Sequence, residues 1–353
     1  LWDKICRPDV LQEAYRQCAN NKGAAGVDGD TFEEIESRGL GRWLEELREE
    51  LRAGNYRPQA LLRVWIPKDN GERRPLSIPT IRDRVVETAA LIVLNPIFEE
   101  DLLPNQYGFR PKLDAKMAVR RVYWNVSQNG RREIVDADLS DYFSTIPHGK
   151  LMRCISRRIA DGRVLSVIKA WLTAPVVERT RRGQKRTTES RDRKRGAAQG
   201  SPISPLMANL YFRRFLLAWE QHGYRDRLTA FVVNYADDLV ICCKPGNGPA
   251  AMRAMRHLMS RLGLTVNEGK TKLAIIPEDA ITFLGYEIGR FFGKDGKPYI
   301  GIRPSRKSIK RALRNIHEMT SSRWNYTSPE ERIERINSFL MGWAGYFNQG
   351  PVM

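Results

Sequence analysis

Soft-metal chemistry and disulfide bonding find little support in this chain. Its five cysteines, Cys6, Cys18, Cys154, Cys242 and Cys243, form no CxxC pair. The adjacent Cys242 and Cys243 are a poor disulfide candidate inside an apolar strand. The four histidines, His148, His222, His257 and His317, are scattered, with no HExxH motif. Zinc is therefore disfavoured, and a reducing compartment, bacterial cytoplasm or organelle matrix, is expected. No run reaches the ~18 apolar residues of a membrane span, and no signal peptide opens the chain, so no membrane partner is expected. Repeats and low-complexity tracts are missing. The first residue is Leu1, not Met, which suggests a fragment or a processed chain. Acid is scarce beside base: 41 Asp+Glu against 59 Lys+Arg leave a net charge of +18. That excess points to a polyanion, although ribosome binding or a plain basic surface would produce the same number.

What is present is a globular chain of 353 residues, 42% hydrophobic and 9% aromatic, long enough for two or three subdomains. Helical periodicity runs through 9–53, with Trp43, Leu44, Leu47 and Leu51 on one face, interrupted by the turn-rich GAAGVDGD (23–30). Residues 61–80 read as two strands around a DNG turn, carrying Lys68 and Arg74. A helix is expected over 81–98, ending near Pro96, followed by the short NQYGFRP loop (105–111) and a helix over 114–129. The segment 132–148 reads as a strand and then a turn. Helices are expected over 150–172, 203–220 and 249–262, strands in VNEGKTKLAII and FLGYEIG, and a basic helical tail after 303. The stretch 178–195 holds nine Lys/Arg against three acids. It is either a mobile solvated loop or a contact to a phosphate backbone.

The most informative segment is FVVNYADDLVICC (231–243), which places Asp237 and Asp238 at the tip of an expected β-hairpin. Such adjacent carboxylates repel unless a cation lies between them, and Mg²⁺ is the natural one, being a hard ion that takes carboxylate, water and phosphate oxygens. An ordinary Asp-rich turn is the competing explanation. Nucleotidyl transfer with two metal ions needs a further acid from a neighbouring strand. IVDADL offers Asp136 and Asp138, which two-residue alternation places on the same face, so pattern alone does not choose between them.

Taken in order, IPK…RPLSIP, GFRP, DADLSDYFSTIPH, AAQGSPISPLMANL, YADD, VNEGKTK and FLGY resemble the successive blocks of reverse transcriptases, and most closely those of group II intron-encoded type. RINSFLMGWAGYF (335–347) is similar to the family's maturase or thumb motif. The resemblance implies an α+β right-hand polymerase: N-terminal segment and fingers over 1–135, and a palm over 136–300 with interleaved finger elements and an antiparallel sheet carrying the YADD hairpin. A partial thumb of maturase (domain X) helices would follow over 301–353. It further implies that Asp138, five residues before Phe143, is the metal ligand, with the Leu139 carbonyl, Asp237 and Asp238. Two Mg²⁺ ions are implied, Mn²⁺ being a possible substitute, with Asp136 in support.

For the incoming dNTP the resemblance implies contacts from Lys68, Arg74, Asp141, Tyr142 (in part through backbone N–H groups) and Gln199. Phe143 would exclude a ribose 2′-hydroxyl, and Lys270 would protonate the leaving diphosphate. Arg110, Gly285, Lys307, Arg311 and Arg314 are the implied nucleic-acid contacts. In AAQGSP, Ala198 and Ser201 depart from the family's usual PQGGPLSP. Family members continue well beyond this tail, so processivity and integration are not expected of this stretch alone. The implied partners are an RNA template, a DNA primer, dNTP and group II intron RNA, with a homodimer as a further option. Two rival readings are an RNA-binding maturase with a vestigial polymerase site and a domesticated relative serving CRISPR, phage defence or DNA repair. A viral RNA-dependent RNA polymerase is disfavoured by Phe143.

Overall fold

The helix Ile81–Glu99 anchors the first part of the fold. In the computed structural model, which describes residues 1–67, 71–180, 183–324 and 326–349, Thr80 caps this helix by accepting the Asp83 N–H. Val85, Val86, Ala89, Ala90, Leu94 and Phe98 are buried along it. The helix does not stop near Pro96. It runs on to Glu99 because Pro96 lies on the exposed side of the last turn, where the bond that the Ile92 carbonyl loses can go to water. Helix Pro8–Asn20 lays Leu11, Ala14, Tyr15 and Cys18 inward, with the Cys18 thiol 3.3 Å from Thr88 Oγ1. Helix Leu40–Ala53 buries Leu47 and Leu51 and ends at a left-handed Gly54. Trp43 and Leu44, expected on the same buried face, are only half-buried.

Eleven strands lie among the described residues. The first five are β1 (Leu61–Pro67), β2 (Arg73–Ile78), β3 (Glu133–Asp138), β4 (Val176–Thr180) and β5 (Gly183–Thr187). The others are β6 (Phe231–Tyr235), β7 (Asp238–Cys243), β8 (Lys272–Ile275), β9 (Ile281–Phe283), β10 (Tyr286–Phe292) and β11 (Pro298–Pro304). The chain folds as two units. One comprises Leu1–Leu103, Ser140–Phe215 and Ser260–Thr265; the other comprises Pro104–Leu139, Leu216–Met259 and the residues from Val266 on.

The first unit holds the sheet β2-β1-β4-β5, in which β1 runs antiparallel to β2 and parallel to β4. The described residues of the basic stretch 178–195 take up regular structure here. It completes β4, forms β5 and closes with the short helix Glu189–Arg193. Trp65 Nε1 donates to Glu178 at 2.7 Å and ties the hairpin to β1.

The second unit holds two antiparallel sheets, β6-β7-β3-β8 and β11-β10-β9. Helix Ala115–Ser127, capped by Asp114, contributes Val119, Val122 and Val126 to a core with Ile134, Val240, Phe283, Tyr286 and Ile288. At the start of β3 the buried Glu133 carboxylate accepts the N–H groups of Gly246 (2.7 Å) and Gly248 (2.6 Å). This contact ties the strand to the head of helix Gly248–Leu262. Helices Arg306–Met319 and Pro329–Tyr346 follow, capped by Ser305 and Ser328. The tail aromatics serve the unit's own core: Tyr346 and Phe347 pack against it, and Tyr346 Oη donates to the Leu284 carbonyl at 2.8 Å.

Candidate active site

Strands β6 and β7 pair antiparallel from Phe231↔Cys242 to Tyr235↔Asp238, leaving Ala236 and Asp237 as a two-residue turn. Ala236 has φ 56, a conformation that side-chain-bearing residues seldom adopt. Two features hold it. The buried Asn234 side-chain amide donates to the carbonyls of Ala236 (2.8 Å) and Asp238 (3.3 Å). The NQYGFRP segment lies alongside: Asn234 N donates to Asn105 O and Tyr107 N to Asn234 O, each at 2.9 Å. Gly108 presses on the turn so closely that a Cβ there would stand 2.5 Å from Ala236 N.

The next strand distinguishes by register the two acids that alternation left open. In the β3–β7 register Asp138 stands opposite Asp238, while Asp136 stands opposite Val240. Directly opposed residues in antiparallel strands project to the same face, with Cβ atoms about 4.5–5.5 Å apart. Asp138 and Asp238 therefore project side by side, next to the turn that carries Asp237. Asn267 Nδ2 donates to Asp138 Oδ2 at 3.1 Å, and the Lys270 ammonium lies 3.4 Å from the same oxygen. The backbone is fixed as well, with Asn267 N donating to Asp138 O (2.8 Å) and Asp138 N to Thr271 Oγ1 (3.3 Å). Asp136 sits one pleat back, 4.0 Å from the Lys272 ammonium. Burial pushes its carboxyl up to about 6, and Lys272 pulls in the opposite direction.

These donors are all oxygens, the set that suits a hard divalent cation. Among the described residues no three His, Cys, Asp or Glu side chains are grouped closely enough to hold an ion unaided. An ion here would complete its shell from backbone, water or substrate, as hard cations do beside phosphates. The Leu139 carbonyl is adjacent in sequence, and Leu139 bridges Val266.

The remaining nucleotide-contact candidates belong to the first unit. Arg74 is exposed on β2. On the same strand the Ser77 N–H donates to the Gln199 carbonyl at 2.7 Å. Gly200 (φ 113) lies flat against this strand, since a Cβ there would be 2.7 Å from Ser77 O. Asp141 is exposed in a left-handed conformation. Tyr142 is buried and its hydroxyl donates to Ala208 O at 2.6 Å. The Phe143 ring is buried, edge-on to Tyr142 at 5.8 Å. Lys68 falls outside the described residues.

Among the nucleic-acid candidates, Arg110 donates to the Gln106 carbonyl at 2.9 Å within its own loop. Leu284 (φ 48) and Gly285 (φ 83) make the β9–β10 turn. The Gly285 carbonyl receives Ser305 N (2.8 Å) and Ser308 Oγ (2.9 Å). Lys307, Arg311 and Arg314 are exposed on helix Arg306–Met319. Sequence reasoning missed Asn234, Gly108, Asn267 and Thr271. A lone Asn in the apolar run FVVNY was the available signal, because a buried amide in a strand needs a partner.

Sequence comparison adds a family to these observations. The family model described as reverse transcriptase (RNA-dependent DNA polymerase) matches residues 66–288, well over half of the chain. The group II intron maturase-specific domain matches 309–353. Protein YkfC of Escherichia coli K12 is 34% identical over 323 residues, covering 81% of this chain and 82% of that protein. The group II intron-encoded protein LtrA of Lactococcus lactis is 31% identical over 214 residues, 60% of this chain and 33% of that one. The putative COX1/OXI3 intron 1 protein of Saccharomyces cerevisiae is 24% identical over 331 residues, 79% and 38% respectively. The chain thus spans between a third and two fifths of these two intron-encoded relatives. By these matches the chain belongs to the group II intron reverse transcriptase family, with an RNA-dependent DNA polymerase domain followed by a maturase-specific domain.

Proposed function

We propose that this protein extends a DNA primer on an RNA template, with catalysis at the face shared by Asp138, Asp237 and Asp238. The observation that carries the reading is the register pairing of Asp138 with Asp238 beside the turn residue Asp237. These carboxylates, with the Leu139 carbonyl, would hold two Mg²⁺ ions, Mn²⁺ being an alternative. When bound, the ions would activate the primer 3′-hydroxyl and stabilise the leaving diphosphate. Lys270, whose ammonium rests at Asp138, would carry the proton for the diphosphate.

Arg74 and Lys68 would grip the triphosphate of the dNTP, Arg as a bidentate fork and Lys as a point charge. Asp141 and the Tyr142 backbone would lie along the triphosphate, and Gln199 would line the nucleotide and template pocket. The Phe143 ring would leave no room for a ribose 2′-hydroxyl. Arg110, Gly285, Lys307, Arg311 and Arg314 would hold the template–primer duplex. In right-hand terms residues 1–135 form the N-terminal segment and fingers, 136–300 the palm and 301–353 the partial thumb. Group II intron RNA is the proposed cognate partner, bound for splicing as well as copying, and dimerisation is part of this reading. The described residues include no helix long and apolar enough to cross a membrane. Five free cysteines suit a reducing bacterial cytoplasm or organelle matrix.

The test is Asp237→Asn, with labelled dNTP on an RNA template and DNA primer. Extension should vanish while RNA binding persists. Undiminished extension refutes the assignment, and a wild type that binds intron RNA without ever extending a primer makes the protein a maturase alone.

A further inference from the structure

The helix Ile81–Glu99 carries a buried acid that none of the proposed steps uses. Glu87 is 2% exposed. Ser201 Oγ donates to its Oε2, and the Ile203 N–H donates to the same carboxyl group. Glu87 therefore holds Ser201 by its hydroxyl and Ile203 by its backbone N–H, on either side of Pro202 and directly after Gln199 and Gly200. On the other side the loop is held by β2, through Ser77 N to Gln199 O at 2.7 Å and the flat contact of Gly200 with Ser77 O. The Gln199 loop is thus clamped between a strand edge and one carboxyl group, all within the first unit.

The anchoring hydroxyl stands at one of the two positions where AAQGSP departs from the related pattern. One turn earlier on the same helix lies a second buried acid with its own partners. Asp83 accepts from Tyr56 Oη at 2.7 Å and from Gln59 N at 2.9 Å, and Trp171 Nε1 donates to Tyr56 Oη at 3.0 Å.

We propose that Glu87 is a positioning residue for the incoming nucleotide: through Ser201 and Ile203 it fixes the loop that presents Gln199 to the dNTP. The proposal rests on the placement of Gln199 at the nucleotide site. Burial pushes the Glu87 carboxyl up to about 8, which favours its uncharged form, and Gln keeps the side chain's shape and one acceptor oxygen. Deleting a buried hydrogen-bonding partner that holds a loop costs about tenfold in an affinity-like constant.

The experiment measures kcat and KM for dNTP on an RNA template and DNA primer. The enzymes are the wild type and the Glu87→Ala, Glu87→Gln, Ser201→Ala and Gln199→Ala variants, each checked for folding by circular dichroism and melting. Glu87→Ala and Ser201→Ala should raise KM about tenfold with little change in kcat, and Glu87→Gln should restore the wild-type KM. If Glu87→Ala does not fold, Ser201→Ala, which removes a single hydroxyl, decides. If Gln199→Ala leaves KM unchanged, the placement of Gln199 fails. If Gln199→Ala raises KM while folded Glu87→Ala and Ser201→Ala do not, the positioning role is overturned. It is overturned as well if Glu87→Gln is as impaired as Glu87→Ala.

Discussion

Glu87 also sets a pH dependence at the residue scale. Its ordinary value of 4.5 is raised to about 8 by burial, with Asp83 adding to the rise and Ser201, Ile203 and Arg84 opposing it. The fold favours the protonated form, so this contribution to stability is complete below 4.5 and is lost as pH rises through about 8. Glu87→Gln stays neutral throughout and should be the more stable protein at neutral and alkaline pH. The gap should widen from pH 5 to 8 by on the order of 2–4 kcal/mol and then level off. Urea melts of both proteins across that range would read it, and parallel pH profiles would contradict it. Phe143 yields a different readout. Trimming its buried ring to Val should open space for a 2′-hydroxyl and raise rNTP use relative to dNTP by about 10–100-fold, measured as the ratio of kcat/KM values. An unchanged ratio would remove the steric role. At this scale two-residue alternation named the acids but could not rank Asp136 against Asp138, and only the motif resemblance favoured Asp138. Both share a face, and the physical reason for the choice is the partner strand's register, which depends on residues a hundred positions away and puts Asp138 opposite Asp238.

Among the elements, the strand that ends in Asp138, the hairpin that carries Asp237 and most helices were legible, because alternating or 3.6-residue periodicity survives wherever one face is buried. The segment 178–195 was not. Its strand β5 is exposed along almost its whole length, so no inward face imposes a pattern, and the backbone pairing that orders it leaves no trace in the side chains. The loop 105–111 was similarly opaque. It reads as a connector, yet Gly108 supports the strained Ala236 turn. Gly108→Ala should therefore push that turn out of place, costing about 1–3 kcal/mol of stability and at least about tenfold in kcat. Thermal melting and primer extension on the same preparation would check both, and full activity would show that the close packing is dispensable.

For the molecule as a whole, the charge of +18 predicts binding that weakens with salt. The exposed Arg191, Arg193 and Lys194 close the basic hairpin. Reversing their charges should reduce RNA affinity and flatten the slope of log affinity against log salt by roughly one unit per lost phosphate contact. A filter-binding series from low to moderate salt would show this, and an unaltered slope would make the segment a solvated edge. The order of the motifs along the chain announced the family. The way three separated stretches assemble each unit was not legible, since it depends on which distant strands find register partners. One consequence concerns how such a gene can drift. Strand β3 is fastened at Glu133 and must deliver Asp138 five residues later, and a shift of one residue turns every side chain to the opposite face. Losing or gaining a single codon between these positions should silence the polymerase outright, whereas the exposed bend joining β10 and β11 should absorb the same lesion. A library of one-codon deletions screened for extension should therefore show a sharp gap over 133–138.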